Sequence, residues 1–274
     1  MANELVLNAA AARRAGGGWL AWLRDPWVVL LLALVILGVA WALTDTAPPA
    51  VRHLWHWSPA LLRGLGMNVQ ISVLAMAMAL GTALGLVVGA LSLSPSRPLR
   101  RLTRAYVLAF RNAPILVLVY FTTYVFPFEL NLGGWNLPFP DWIKVVIGLG
   151  LPASANVAEI FRGAIQSIPE AQWEAAQSLA FRRTQIFRMI VLPQCVRRML
   201  PSWMNLYASI TMSTSLASLV GVHDLVDTAT VASNTVARSD FTVLVYFTLL
   251  ALFFAYCYPI ARWTRHLERR YAHH

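Results

Sequence analysis

The stretch WEAAQSLAFRRTQIFRMIVLP, residues 173–193, is a polar, arginine-containing interruption of a chain that is otherwise hydrophobic. Its alanines, glutamines and glutamate are good helix formers, so the first part of the stretch predicts a helix. Upstream, Ser167 and Glu170 have the spacing of a capping box, and Pro169 falls in the first turn, where its missing N–H does no harm. The pattern indicates a short helix that projects from the apolar segments on either side.

The predicted helix carries a narrow face of small and apolar side chains, and alanine keeps the backbone close to whatever lies opposite. The residues on and beside this face are Trp173, Ala175, Ala176, Leu179 and Ala180. Such a face suits insertion into a groove of a soluble partner, with Glu174 as a lone carboxylate near the middle of the contact. Arg182 and Arg183 follow the helix, where cations suit its C-terminal dipole. The alternative is an ordinary amphipathic helix packed on its own protein.

Composition indicates an integral membrane protein. The chain has 274 residues, of which 58% are hydrophobic and 12% are charged, whereas in soluble domains about a quarter are charged. The net charge of +10 comes almost entirely from arginines that cluster between apolar segments, so membrane topology explains it better than nucleic-acid binding. Cys195 and Cys257 lie in different segments and form no metal or redox motif.

Six apolar segments are predicted to cross the lipid bilayer, at residues 27–43, 64–93, 106–127, 142–158, 199–222 and 241–261. The first segment is short, and the tryptophans that flank it are typical of a helix anchored at the membrane interface. The alternative for this segment is a cleaved signal peptide. The connection after it is predicted to be an exposed interfacial loop. His53 and His56 in this loop lack a nearby third ligand, so no metal site is expected there.

Glycines and a proline inside two of these segments predict how the helices pack. Gly81, Gly85 and Gly89 stand four residues apart, the spacing that lets membrane helices approach closely. The fourth segment contains two glycines and Pro152, and this sequence predicts a discontinuous helix. Irregular backbone at membrane depth is tolerated only inside protein or along a cavity.

The arginines predict the orientation of the chain. If six segments cross the membrane, both arginine-containing ends and the predicted docking helix lie on one side. The same side holds a predicted basic loop, whose arginines are Arg97, Arg100, Arg101 and Arg104. By the positive-inside rule this side is the cytoplasm, and both termini are predicted to lie there.

The sequence lacks the residues for ATP hydrolysis by a Walker-type phosphate-binding loop, which needs a lysine after its glycines. The only lysine, Lys144, is not in such a loop. Paired metal ligands and a Gly-x-Ser-x-Gly elbow are also absent from the sequence. A transport domain with a docking helix and no ATPase motif predicts a separate ATPase.

The opening stretch resembles the EAA loop of ABC-importer permeases, whose pattern is Glu-Ala-Ala, three residues, Gly, nine residues, Ile, one residue and Leu-Pro. The matching positions are Glu174, Ala175, Ala176, Ile190, Leu192 and Pro193. The family's glycine is Ala180 here. Because a left-handed turn costs an alanine roughly 1–2 kcal/mol, residue 180 is predicted to stay right-handed.

From about Gly64 to Arg270 the chain resembles the polar-amino-acid branch of these permeases, the histidine/glutamine/glutamate permease-like family. Further motifs of that branch stand at residues 106–114, 158–169 and 214–217. The resemblance implies an all-α membrane protein in which residues 61–274 form the five-helix core of a type I importer, with the EAA loop at about 162–200. Residues 1–60 would add a tail, one further membrane helix and an external loop.

The resemblance also implies an assembly. It would contain a second permease subunit, identical or related, two ATPase subunits that bind ATP and magnesium, and an external amino-acid-binding protein. This chain would hold no cofactor or metal. The residues expected to couple it to the ATPase are Trp173, Glu174, Ala175, Ala176, Leu179, Ala180, Arg182, Arg183, Ile190, Leu192 and Pro193.

Polar residues inside or at the ends of the predicted spans, together with the family motifs, predict a substrate pathway. Its expected lining residues are Arg111, Asn112, Asn156, Glu159, Met212, Ser213, Thr214 and Ser215. The alternatives are hydrogen bonds that stabilise the helix bundle for the Ser and Thr residues, and a salt bridge with Arg162 for Glu159. Arg111 could instead extend towards the basic side of the membrane.

Two other kinds of protein have to be weighed against an importer subunit. An ion-coupled secondary transporter of small polar solutes would need a coupling group at the midplane, and a membrane scaffold or receptor would need no polar pathway. The substrate remains open among acidic, basic and amide amino acids, cystine and opines. Many relatives carry Lys-Asp where this chain has Met212-Ser213, so no relative's substrate is carried over.

Overall fold

The computed structural model describes residues 48–77, 79–132 and 135–271, which fold into helices and one short hairpin. The helices are α1 Pro49–Ala77, α2 Leu84–Ser92, α3 Arg97–Asn112, α4 Ile115–Val125, α5 Asp141–Gln166, α6 Glu170–Ser178, α7 Arg183–Gln185, α8 Leu192–Ser213, α9 Leu225–Val236 and α10 Ser239–Tyr271. A π-helical turn at Ala79–Ala83 joins α1 to α2, and another at Ile186–Val191 leads into α8. A 3₁₀ helix, Thr214–Val220, follows α8. The predicted first span lies outside the described residues.

Within the described residues, three helical segments are long and apolar enough to cross a membrane, namely Pro49–Ser92, Asp141–Gln166 and Ser239–Arg269. They confirm the predicted spans at 64–93, 142–158 and 241–261. α8 has the length of a span but is too polar to be among them. The expected loop around His53 and His56 is wrong, because both histidines lie in α1, and the ring of His53 packs edge-on against Phe241 at 5.9 Å.

The predicted third span is a bent pair of helices, α3 and α4, which meet at 103°. The bend falls at Pro114, which cannot donate a backbone hydrogen bond and disfavours a helical conformation in the residue before it. Ala113 is accordingly extended, with φ −71° and ψ 134°. The pair counts as a fourth span if both arms lie in the bilayer.

The predicted break in the fourth span is wrong, because α5 runs continuously from Asp141 to Gln166. Gly148 allows α4 to approach closely: a Cβ placed on it would lie 2.7 Å from Oγ1 of Thr122. In the turn of Pro152, the Ser154 hydroxyl donates to the carbonyl of Leu151, and the Asn156 amide donates to that of Pro152. These side-chain bonds supplement the backbone bonding around the proline.

The glycine spacing in the second span correctly predicts a close helix contact. A Cβ on Gly85 would lie 2.6 Å from the carbonyl oxygen of Ser154, and one on Gly89 would lie 2.9 Å from the ring of Phe161. Both contacts are with α5, which therefore sits in the middle of the fold with α2 against one side. Gly81 instead faces the end of α1, near Met76.

The hairpin lies in the connection between α4 and α5. Strand β1, Glu129–Leu132, pairs antiparallel with β2, Trp135–Pro138, and Glu129 stands opposite Pro138. In the chain, the hairpin comes before α5 and α6 comes after α5. The hairpin and α6 therefore lie at opposite ends of α5. Lys144 is fully buried beneath the hairpin, where its ammonium donates to Asp141 and stands 3.9 Å from the ring centre of Phe128.

The end of α6 contradicts the right-handed conformation predicted for residue 180, because Ala180 has φ +58°. The backbone closes in a Schellman pattern, with the N–H of Phe181 bonded to Ala176 at 3.2 Å and that of Ala180 bonded to Gln177 at 2.9 Å. Phe181 then packs on the apolar cluster beneath the helix. These contacts outweigh the strain of a left-handed alanine.

Ala180→Gly is therefore expected to stabilise the end of α6 by about 1 kcal/mol, because glycine adopts a positive φ without a Cβ clash. Hydrogen exchange of the backbone amides in residues 170–181 measures the effect, and we expect slower exchange by about fivefold. Ala175→Gly is the matched control, since it places glycine at an exposed helical position and should speed exchange instead. Faster exchange in Ala180→Gly would contradict the structural explanation.

Candidate functional site

The base of α6 rests on an apolar cluster of its own protein. Ala176 is buried there with Ile186 and Cys195, and Trp173 packs against the same cluster. Ile190 and Leu192 pack on it as well. The face predicted to enter a partner's groove is thus partly turned inwards, because these residues fill the space between α5, α6 and α8.

The opposite side of α6 is exposed and is called the outer face here, defined by Glu174, Ala175, Ser178 and Leu179. Leu179 has 73% of its surface exposed, an unusual state for a leucine at the end of a helix. Arg182 and Arg183 are exposed just beyond it. The outer face therefore offers one carboxylate, a small residue and an uncovered apolar side chain.

The predicted capping box is absent. Pro169 occupies the N-cap position, and the Ser167 hydroxyl donates to the carbonyl of Ala164 instead. Arg198 of α8 donates to both the hydroxyl and the carbonyl oxygen of Ser167, at 2.8 and 2.6 Å. The residue expected to cap α6 thus fixes the junction of α5 and α6 to α8.

A second bond fixes α6 to α8. The side-chain amide of Gln194 donates to that of Gln172 at 2.7 Å. α6 is thus held to α8 at Gln172 and joined to α5 through Ser167. The glutamine pair could not be predicted from the sequence, because its members lie 22 positions apart in different helices.

A polar cluster joins α3 to α5. Arg111 donates through Nε to the side-chain oxygen of Asn156 at 3.2 Å, and its guanidinium lies 3.9 Å from Glu159. Arg162 donates to both carboxylate oxygens of Glu159, at 2.6 and 3.3 Å. The salt bridge considered for Glu159 is therefore present, and the same carboxylate also faces Arg111.

This cluster opens into a cleft between α3 and α5. A cavity of about 280 Å³ is lined by Arg111, Asn112 and Glu159, together with Arg104. A neighbouring cavity of about 430 Å³ extends from Glu159 past Arg162 to Gln166, near the start of α6. Three of the predicted pathway residues thus line one cleft, and Asn156 contacts it through Arg111.

The other four predicted pathway residues line neither cavity. The hydroxyls of Ser213 and Ser215 donate to backbone carbonyls in their own helical turns. Met212 is 57% exposed. Thr214 is buried and accepts a hydrogen bond from Asn68 at 3.1 Å. The Ser and Thr residues thus make hydrogen bonds that stabilise the helix bundle, which was the alternative to a place in the substrate pathway.

Asn68 was missed by the sequence reasoning. It is fully buried in α1, where its side chain donates to Asp224 at 3.0 Å and accepts from the backbone N–H of Leu225 at 3.0 Å. With Thr214 it joins α1 to the 3₁₀ helix and to the N-terminus of α9. A signal was available, because asparagine is costly in an uncharged apolar segment unless its hydrogen bonds are satisfied.

Within the described residues, no cluster of His, Cys, Asp and Glu could hold a metal ion. The carboxylate of Glu159 is occupied by arginine, and the pair His223 and Asp227 contact each other without a third ligand. The polar cluster is suited to binding a small polar molecule through charge and hydrogen bonds.

A family match, related proteins and a solved structure all indicate the same kind of protein. Residues 81–273 match the family described as "Binding-protein-dependent transport system inner membrane component". A probable amino-acid ABC transporter permease protein of Bacillus subtilis (strain 168) is 32% identical over 217 residues, which cover 79% of this chain and 91% of that protein. An octopine transport system permease protein of Rhizobium radiobacter is 31% identical over 226 residues, covering 79% and 90%.

The fold is also similar to that of a solved structure, described as "Crystal structure of an amino acid ABC transporter with histidines". The two chains share 26% sequence identity and have a TM-score of 0.68, with 79% of this chain and 96% of that chain covered.

Proposed function

The chain belongs to the family of binding-protein-dependent transport system inner membrane components, as a permease of the amino-acid ABC transporter kind, and from this premise we propose how it takes up its solute. It forms the translocation pathway for polar amino acids or close derivatives. A separate ATPase drives it through α6. The observation that carries this proposal is the outer face of α6, exposed on a helix that is fixed to α5 and α8.

The coupling step follows from these contacts. A groove on the ATPase receives the outer face, with Glu174 near a cation and Leu179 in an apolar recess. When ATP closes the ATPase pair, α6 moves with it. The bonds of Gln172 to Gln194 and of Ser167 to Arg198 carry this motion into α8, and the chain connection carries it into α5.

The substrate passes the cleft between α3 and α5. Arg111 is 46% exposed at its side chain and lies beside Glu159, whose charge Arg162 already balances at 2.6 Å. The guanidinium of Arg111 is thus available to a carboxylate, a group that every amino acid carries. An ion-coupled secondary transporter is disfavoured by the same geometry, because the carboxylate in this cleft is held by two arginines.

The complete transporter on this proposal contains two permease subunits, identical or related, and two ATPase subunits that hold ATP and magnesium. An external binding protein delivers the solute. The chain lies in the bacterial inner membrane with α6 and both termini in the cytoplasm. The placement is supported by the arginines of the α2–α3 region and of the end of α10, which share the α6 side under the positive-inside rule.

Cross-linking tests the docking surface. Cys195 and Cys257 are the only cysteines, so a cysteine-free background is available through their replacement by serine. In the assembled transporter, a photoreactive maleimide on Ala175→Cys is expected to cross-link to the ATPase subunit. The control is Leu137→Cys, exposed on β2 at the other end of α5, which should give no ATPase adduct. Equal labelling of the ATPase from both positions would overturn the proposal.

A further inference from the structure

Four arginines lie on one face of α3, in the region that was predicted to be a basic loop. That prediction is wrong, because Arg97 begins the helix and the others follow within its first turns. The four are Arg97, Arg100, Arg101 and Arg104, called the arginine stripe here. At spacings of three and four residues their guanidinium groups are neighbours, and like charges so placed destabilise a helix.

The structure holds the stripe without a counter-charge. In the part of the chain that it describes, none of the four arginines pairs with a carboxylate, and Arg100 alone makes a hydrogen bond, to the carbonyl of Ser94 at 3.4 Å. All four are exposed. Their side chains line a pocket of about 260 Å³, and no other described residue lines it. An anionic partner would remove the repulsion.

The positions of α2 and α5 show where the arginine stripe lies along the membrane-spanning helices. Arg100 lines a cavity with Ser92, the last residue of α2, and with Gln166, the last residue of α5. Further along α3, Tyr106 bonds to Ser154 at 2.6 Å, well inside α5. The stripe therefore lies at the end of the membrane-spanning helices, and α3 runs inwards from it.

An exposed apolar face of α3 lies beside the stripe and continues inwards past it. Leu102, Ala105 and Ala109 follow one another at helical spacing on this face, and Leu102 is 68% exposed. Ala109 lies about 10 Å further along the helix than Leu102, at 1.5 Å per residue. Arginines beside such an apolar face match the transition from phospholipid headgroups to acyl chains.

We infer that the arginine stripe is a binding site for an anionic phospholipid on the membrane side that holds α6. The headgroup phosphate occupies the pocket between the guanidinium groups, and an acyl chain lies along Leu102 and Ala105. An aqueous partner protein would meet the arginines but would leave the apolar face of Leu102, Ala105 and Ala109 uncovered. The assignment of this side to the cytoplasm rests on the proposed function. The lipid site itself does not depend on the proposed function.

Lipid binding to the purified transporter, with its ATPase attached, tests the inference. The complex is titrated with phosphatidylglycerol in detergent, and bound lipid is counted by native mass spectrometry. Arg97→Gln with Arg101→Gln is expected to weaken binding about 25-fold, at about fivefold for each arginine. Arg265→Gln with Arg269→Gln is the matched control, since both are exposed near the end of α10, and it should change binding less than twofold.

Three further arms keep the result interpretable. Arg97→Lys with Arg101→Lys should retain most of the binding, which separates loss of charge from misfolding. Phosphatidylcholine should bind no better to the wild type than to the glutamine variant. Glycerol phosphate should not compete, because a free phosphate lacks the acyl chain that Leu102 contacts.

The inference is overturned if both arginine pairs lower phosphatidylglycerol binding equally, since this would show a diffuse surface charge in place of a site. Unchanged lipid binding in the stripe variant also overturns it. Loss of the ATPase from that variant with lipid binding unchanged would assign the stripe to a protein contact. Effective competition by glycerol phosphate would assign it to a free anion.

Discussion

Glu174→Lys should release the ATPase from the transporter and abolish ATP-driven uptake. Glu174 is exposed at the centre of the outer face, so the substitution leaves the apolar cluster beneath α6 untouched. Truncating one partner of a buried charge pair costs about 2–5 kcal/mol, and reversing its sign adds repulsion. The ATPase should therefore bind at least about thirtyfold more weakly, measured by co-purification and by titration of the ATPase onto the permease.

Glu268→Lys is the matched control, because it makes the same change of charge at an exposed position near the end of α10. It should keep the ATPase and the uptake. The coupling assignment fails if Glu174→Lys retains the ATPase at wild-type affinity, or if both variants lose it to the same degree. Hydrogen exchange in residues 170–181 confirms that α6 remains folded in either case.

Arg111→Gln should lower the uptake kcat/KM about 10- to 150-fold, since a hydrogen bond to a charged group contributes about 1.5–3 kcal/mol. The guanidinium lies in the cleft between α3 and α5, where it donates a hydrogen bond to the side chain of Asn156 and lies 3.9 Å from Glu159. Glutamine preserves a donor for Asn156 and removes the charge that a substrate carboxylate would meet. Uptake of labelled amino acids into proteoliposomes is the measurement.

Arg238→Gln removes one exposed arginine, paired with Asp240 at the start of α10, and serves as the control. Its uptake should match the wild type. In Arg111→Gln the ATPase should remain bound and should still hydrolyse ATP, because α6 is unchanged. Wild-type uptake by Arg111→Gln, or the loss of its ATPase, would remove Arg111 from the pathway.

The sequence could predict those features that depend on neighbours within one helix. Gly85 and Gly89 recur at a spacing that lets membrane helices approach closely, and they do meet α5. Glu159 and Arg162 stand three residues apart, and their salt bridge follows from helical geometry alone. The docking pattern of residues 173–193 likewise gave the position of α6 to within a few residues.

Features that depend on packing between helices were not predictable in this way. The left-handed Ala180 depends on Phe181, which packs on a cluster drawn from α5 and α8, and no local preference gives that energy. α5 is continuous although its glycines predicted a break, and Gly148 is instead a position where α4 approaches closely. Arg111 and Asn156 meet across two helices, 45 positions apart. The bend at Pro114 was readable from the proline, but apolarity on both sides favoured one straight span.

The decisive measurement is amino-acid accumulation by proteoliposomes that contain this permease and its partner subunit or subunits. With the ATPase, the binding protein and Mg-ATP supplied, accumulation should occur and should stop when ATP is replaced by a non-hydrolysable analogue. Proteoliposomes with the permease but no ATPase should accumulate nothing under any proton or sodium gradient. Accumulation without the ATPase would contradict the proposal that α6 receives the driving motion from another protein.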